Sequence, residues 1–122
     1  MKTAAHIALG RTGEAIAAAC LEQRGMRILH RNWRSGRYEI DLIAADEYCL
    51  HLVEVKTLRY PATQFPEQQV HKTKFRHWLQ AADAFLWASG NQLRVQFDIV
   101  SVLLDQQGTA VEVRLFEDVF DW

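Results

Sequence analysis

Residues 38–57 read YEIDLIAADEYCLHLVEVKT, two runs rich in β-forming residues on either side of an acidic pair. Tyr38–Ala45 alternates, with Ile40 and Leu42 on one side and Glu39, Asp41 and Ile43 on the other. Tyr48–Thr57 alternates as well and is dense in Leu and Val. The pattern predicts an antiparallel hairpin turning at Asp46-Glu47. Side chains two apart on a strand share a face. That turn therefore sets Glu39 opposite Glu54, with Asp41 one diagonal away and Lys56 beside Glu54.

Carboxylates that face one another across a sheet repel. Lys56 offsets part of the charge, and a divalent cation offsets it better. An all-oxygen donor set with room for water suits Mg²⁺ or Mn²⁺. Such an ion can hold a phosphate oxygen and supply hydroxide for in-line attack. A neighbouring lysine can orient the water or stabilise charge developing on the phosphorane. Asp41 followed by Glu54-Val55-Lys56 thus fits a metal-dependent nuclease. The bland reading of the same residues is a ladder of surface ion pairs, and an Asp followed by E-x-K is common by chance.

The rest of the chain supplies an α/β frame. A helix is predicted over residues 12–24, capped by Thr12 and ended at Gly25. Ala15, Ile16, Ala19 and Cys20 form its apolar face. Glu14 then falls in the first turn, where the helix dipole favours an acid for its own sake. Met26–Arg34 reads as a strand closed by the Ser35-Gly36 turn. Pro61 and Pro66 mark a loop over 58–69. A second helix over 70–88 carries the stripe Phe75, Trp78, Leu79, Ala82, Phe85 and Leu86. Leu93–Leu104 reads as a buried central strand and Ala110–Phe116 as its hairpin partner. The order is α-β-β-β-α-β-β around a central mixed β-sheet. Asp98 in that apolar strand needs a partner, and a neighbouring arginine is the expected one. His51 is expected to be a packed, satisfied histidine.

At 122 residues, 49% of them hydrophobic, the chain is expected to form one domain spanning 1–122 without disulfides. No apolar run reaches the roughly 18–20 residues of a membrane helix, and the N-terminus does not read as a signal peptide. Cys20 and Cys49 form no CxxC, which excludes zinc sites of the usual Cys/His spacing and fits a reducing cytoplasm. The net charge of −1 hides an asymmetry. Residues 1–37 hold seven Lys/Arg against two acids, among them Arg11, Arg31, Arg34 and Arg37. That block is either an anion-binding face or a solvated basic edge.

Several short segments together resemble one family. They are Gly10-Arg11-Thr12-Gly13-Glu14, Asn32-Trp33-Arg34, Glu39-Ile40-Asp41-Leu42-Ile43, Val53-Glu54-Val55-Lys56-Thr57, Lys74 and Phe97-Asp98-Ile99-Val100. In this order they resemble the UPF0102 (YraN) family of small bacterial proteins. That family is similar to the restriction-endonuclease-like PD-(D/E)xK superfamily, near the archaeal Holliday junction resolvases. The resemblance implies a restriction-endonuclease-like fold with Asp41, Glu54 and Lys56 as catalytic residues. It implies Asp41, Glu54 and Glu14 as metal ligands and Glu39 as an outer acid of the site. It also implies nucleic-acid contacts from Arg11, Arg31, Arg34, Arg37 and Lys74. The chain departs from the family pattern at Tyr38, where glycine is usual, at Leu58 before Arg59, and in the loop at Gln64-Phe65-Pro66.

The expected function is hydrolysis of DNA phosphodiester bonds with Mg²⁺ or Mn²⁺, on branched or repair-intermediate DNA. A homodimer is the assembly that two cuts imply. The competing expectation is a non-catalytic nucleic-acid-binding or protein-assembly module that keeps the fold. The tail Val119-Phe120-Asp121-Trp122 motivates the assembly reading.

Overall fold

The structure is a computed structural model that describes residues 4–60 and 72–119, with side chains over 9–60 and 76–119. Helix α1 (Ala4–Gln23) leads into β1 (Arg27–Ser35), β2 (Tyr38–Ala45) and β3 (Cys49–Arg59). Helix α2 (Lys72–Ser89) follows, then β4 (Arg94–Leu104) and β5 (Ala110–Phe116). The five strands form one sheet in sequence order. All neighbours are antiparallel except β3 and β4, which are parallel. A parallel pair needs a long crossover, and α2 lies in it. The architecture is the α/β order with a mixed sheet that the sequence predicts.

Each face of the sheet carries a helix. Ala17, Ala18 and Leu21 of α1 cluster with Leu42, Ala44, Val53, Val100 and Val102. Trp78, Ala81, Ala82 and Phe85 of α2 cluster with Ile40, Ile43, Leu50, Leu52 and Phe97. Trp78 and Phe97 meet edge to face with ring centroids 4.2 Å apart. Covered on both sides, β4 is buried over most of its length. Val119 packs against the α2 cluster, and its N–H donates to the Phe97 carbonyl at 2.9 Å. Residues 61–71, with both prolines, and 120–122, with the end of the tail, lie outside the described residues. Among the described residues no helix is long and apolar enough to cross a membrane.

Four expectations are corrected. First, α1 starts at Ala4, so Thr12 is not its cap and Glu14 sits well inside the helix. The dipole acts within the first turn, so it does not account for Glu14. Second, the packed face of α1 is Gly13, Ala17, Ala18 and Leu21, while Ala15 and Ala19 are exposed. Alanine-rich sequence leaves the direction of the face under-determined. Third, the β2–β3 register is Leu42 with Val53 and Ala45 with Leu50. Asp46 Oδ1 accepts the N–H groups of Tyr48 and Cys49 at 2.8 and 2.7 Å, so the loop residues are Glu47 and Tyr48. The shifted turn takes Glu39 away from the place opposite Glu54. Fourth, Asp98 pairs with His51, Nδ1 to Oδ2 at 2.7 Å, and not with an arginine. Burial opposes charge on His51, but its bonds to Asp98 and Asp46 outweigh that and raise its pKa.

The approach of α1 to the sheet depends on Gly13. A Cβ there would lie 2.8 Å from Thr57 Cβ and 2.9 Å from Thr57 Cγ2. Thr57 is β-branched and stiff, so it cannot swing aside. Gly13→Ala should therefore destabilise the protein. The helix-propensity gain of about 1 kcal/mol is exceeded by overpacking of about 1–3 kcal/mol. The expected outcome is a lower urea midpoint with an unchanged slope. A rise in midpoint would contradict this packing.

Candidate metal centre

Strands β2 and β3 pair only from Ala45/Leu50 to Leu42/Val53. Beyond that, β2 continues against β1 and β3 against β4. The two strands fork. In the fork the Val55 N–H donates to Asp41 Oδ2 at 2.8 Å. A side-chain carboxylate thus replaces the carbonyl that a continuing ladder would supply.

The opposite edge of β2 is distorted at the same place. The β1–β2 pairs are Arg31 with Leu42 and Trp33 with Ile40, and they bracket Asn32 and Asp41. Asn32 has φ of 51°, a left-handed conformation that costs about 1–3 kcal/mol outside glycine. Asparagine tolerates it better than most residues. Along β2, Ile40 joins the α2 cluster and Leu42 joins the α1 cluster, so the simple alternation breaks at Asp41. The sequence pattern put both on one side. The distortion at Asn32 and Asp41 is the reason they part.

This geometry gathers the acids. Carboxylate oxygens of Glu14, Glu39 and Asp41 lie within 4.8 Å of one another. Two oxygens on one octahedral Mg²⁺ sit about 3–4 Å apart, given bonds of about 2.1 Å, so a small closure suffices. Asn32 Nδ2 donates to Glu14 Oε2 at 3.0 Å and orients it. Glu54 is buried beside Asp41 and pairs with Lys56, Oε1 to Nζ at 3.1 Å. The Asp41 pKa is raised well above its ordinary value. Burial is the main cause, followed by repulsion from Glu54; the Val55 bond works in the opposite sense, and Glu14 adds further repulsion. An all-oxygen donor set whose crowded negative charge raises the Asp41 pKa fits a hard divalent cation.

The basic residues are more dispersed. Arg34 pairs with Glu39, Nη2 to Oε2 at 2.9 Å, with its side chain 69% exposed. Arg37 Nη2 donates to Tyr38 Oη at 3.5 Å. Arg11 and Arg31 are exposed on α1 and β1. Lys74 falls in the first turn of α2, and its side chain lies outside the described residues. The structure thus brings together Glu14, Glu39, Asp41, Glu54 and Lys56, and places Arg34 at their rim. The residue that sequence reasoning missed is Asn32. Its signal was an asparagine inside a strand, where that residue type is depleted.

The raised pKa of Asp41 makes its ionisation costly to the fold. A carboxyl whose pKa is raised on folding stabilises fully below its ordinary value. That contribution is lost as pH rises through the raised value. Asp41→Asn keeps an oxygen acceptor for the Val55 N–H and removes the charge. Metal-free Asp41→Asn should match the wild type in acid and melt a few degrees above it at neutral pH. Melting curves across pH check this, and a mutant that melts lower at neutral pH would contradict it.

Comparison with known proteins supplies the relationship. The family described as "Uncharacterised protein family UPF0102" matches residues 13–102, which include the fork and all its acids. A UPF0102 protein of Bacteroides thetaiotaomicron is 42% identical over 100 residues, covering 82% of this chain and 83% of its own. One of Parabacteroides distasonis is 38% identical over 112 residues, covering 92% and 91%. One of Anaeromyxobacter dehalogenans is 42% identical over 106 residues, covering 86% and 79%. With the matched region running from the Gly13 contact into β4, the chain belongs to the UPF0102 family.

Proposed function

We propose that this protein is a Mg²⁺- or Mn²⁺-dependent nuclease that hydrolyses DNA phosphodiester bonds, with branched or repair-intermediate DNA as its substrate class. The observation that carries the reading is the convergence of Glu14, Glu39 and Asp41 within 4.8 Å beside the Glu54–Lys56 pair. A surface ion-pair ladder would pair every acid with a base, whereas Asp41 is held by the Val55 N–H, and Glu54 and Glu14 beside it raise its pKa.

Glu14, Glu39 and Asp41 would hold the cation, with Glu54 completing the donors from the β3 side of the fork. When bound, the ion supplies Lewis-acid stabilisation at a phosphoryl oxygen and lowers the pKa of a water. Lys56 is held at the fork by Glu54 and donates toward the attacking water or the developing charge. Glu54 fixes the lysine, Oε1 to Nζ at 3.1 Å. Arg34, exposed at the rim beside Glu39, would offer a forked donor to a backbone phosphate. Arg11 and Arg31 extend the basic rim. A homodimer would present two such forks to one junction, in the reducing cytoplasm suggested by cysteine usage.

The test is cleavage of four-way junction, duplex and single-stranded DNA by purified protein with Mn²⁺ or Mg²⁺. The expected result is metal-dependent cutting of the junction, reduced at least ~10²-fold in both Asp41→Asn and Lys56→Ala. Intact DNA under all conditions would overturn the reading. Salt-sensitive binding that persists in Asp41→Asn without any cleavage would favour the non-catalytic binding module.

A further inference from the structure

The other end of the β2–β3 hairpin carries a second cluster of a different chemical kind. Asp46 Oδ1 is held by the Tyr48 and Cys49 N–H groups, which leaves Oδ2 facing His51 Nε2 at 3.0 Å. The second ring nitrogen, Nδ1, lies 2.7 Å from Asp98 Oδ2. Asp98 is fully buried, and its Oδ1 also accepts from Gln96 Nε2 and the Asp118 N–H, each at 2.9 Å. Cys49 is a free, half-buried thiol. Its Sγ, an Asp46 oxygen and a His51 nitrogen lie within 4.8 Å of one another.

We propose that Asp46, Cys49 and His51 form a zinc site, separate from the fork, that clips the β2–β3 turn. Four features support it. A donor set of one thiolate, one imidazole and one carboxylate suits Zn²⁺ and is a poor match for Mg²⁺ or Ca²⁺. Asp98 orients the ring from behind, with Nδ1 toward its carboxylate and Nε2 toward Asp46 Oδ2. Zinc-ligating histidines are held in this way. The two backbone bonds to Asp46 Oδ1 keep Oδ2 from turning away, so two of the three donors are fixed before any ion arrives. Ligands of one tetrahedral zinc with bonds of about 2.0–2.1 Å sit about 3.3 Å apart, close to the observed Nε2 to Oδ2 distance. The ion displaces two protons to solvent, the one between His51 and Asp46 and that of the Cys49 thiol. A water fills the fourth position. The spacing D-x₂-C-x-H escapes the usual Cys/His patterns because its carboxylate ligand is also the capping residue of a turn.

The experiment is a Co²⁺ titration of the full chain, reduced and metal-free, in excess Mg²⁺ to occupy oxygen-only sites. The expected result is a thiolate-to-cobalt charge-transfer band that saturates at one ion per chain and is bleached by Zn²⁺. The band should be lost in Cys49→Ser and His51→Gln and kept in Cys20→Ser. No thiolate band in the wild type, or a band that follows Cys20, would overturn the proposal. It would mean that His51 is an ion-pair residue only. Alkylation of the wild-type protein provides a readout that needs no variant to fold. Zn²⁺ should protect Cys49 and leave Cys20 unprotected, and equal rates with and without Zn²⁺ at Cys49 would overturn the proposal as well.

Discussion

The hydrogen bond from the Val55 N–H to Asp41 marks the place where a sheet stops being a sheet. A regular ladder would have spent that donor on a carbonyl and aligned β2 with β3 along their whole length. Using a carboxylate instead lets the strands part after Leu42 and Val53. The opening admits acids from α1, β2 and β3. The cost is visible nearby, in a left-handed Asn32 and a carboxyl whose pKa burial and its acidic neighbours raise. Strain and electrostatic cost concentrated at one point of an otherwise well-packed sheet are characteristic of functional sites.

The two ends of the hairpin are chemically opposed. The fork collects oxygen donors with surplus negative charge. The turn collects a carboxylate, a thiol and an imidazole, with the imidazole braced by a buried acid. Both rest on the same long β3, whose residues from Leu50 to Val53 are buried between α1 and α2. The core thus acts as a rigid spacer. It fixes where each cluster can form and stops either from relaxing by moving its strand.

Much of this was legible in the residues. The alternation in 38–57 predicted the hairpin, and the double-sided apolar run in 93–104 predicted the buried strand. The Trp78–Phe85 stripe predicted the second helix and its packed face. The misreadings share a physical cause. A turn assigned from composition alone left Asp46 in the loop, when its side chain caps the turn from the flank. That displaced the register by one step on each strand. The break in alternation at Asp41 depends on Asn32, an element away, and no local period encodes it. Alanine-rich α1 leaves several faces almost equally apolar. The contact of Gly13 with Thr57 selects one, and such a contact is invisible until the strands are placed.

The central claim is that the fork acids form a metal site that exists for its charge. Calorimetric titration with Mn²⁺ of the wild type and Asp41→Asn, with and without junction DNA, tests it most directly. The account predicts saturable binding by the wild type that is lost in Asp41→Asn and strengthened by DNA. Equal heats from both proteins, or no binding by the wild type even with DNA present, would contradict it.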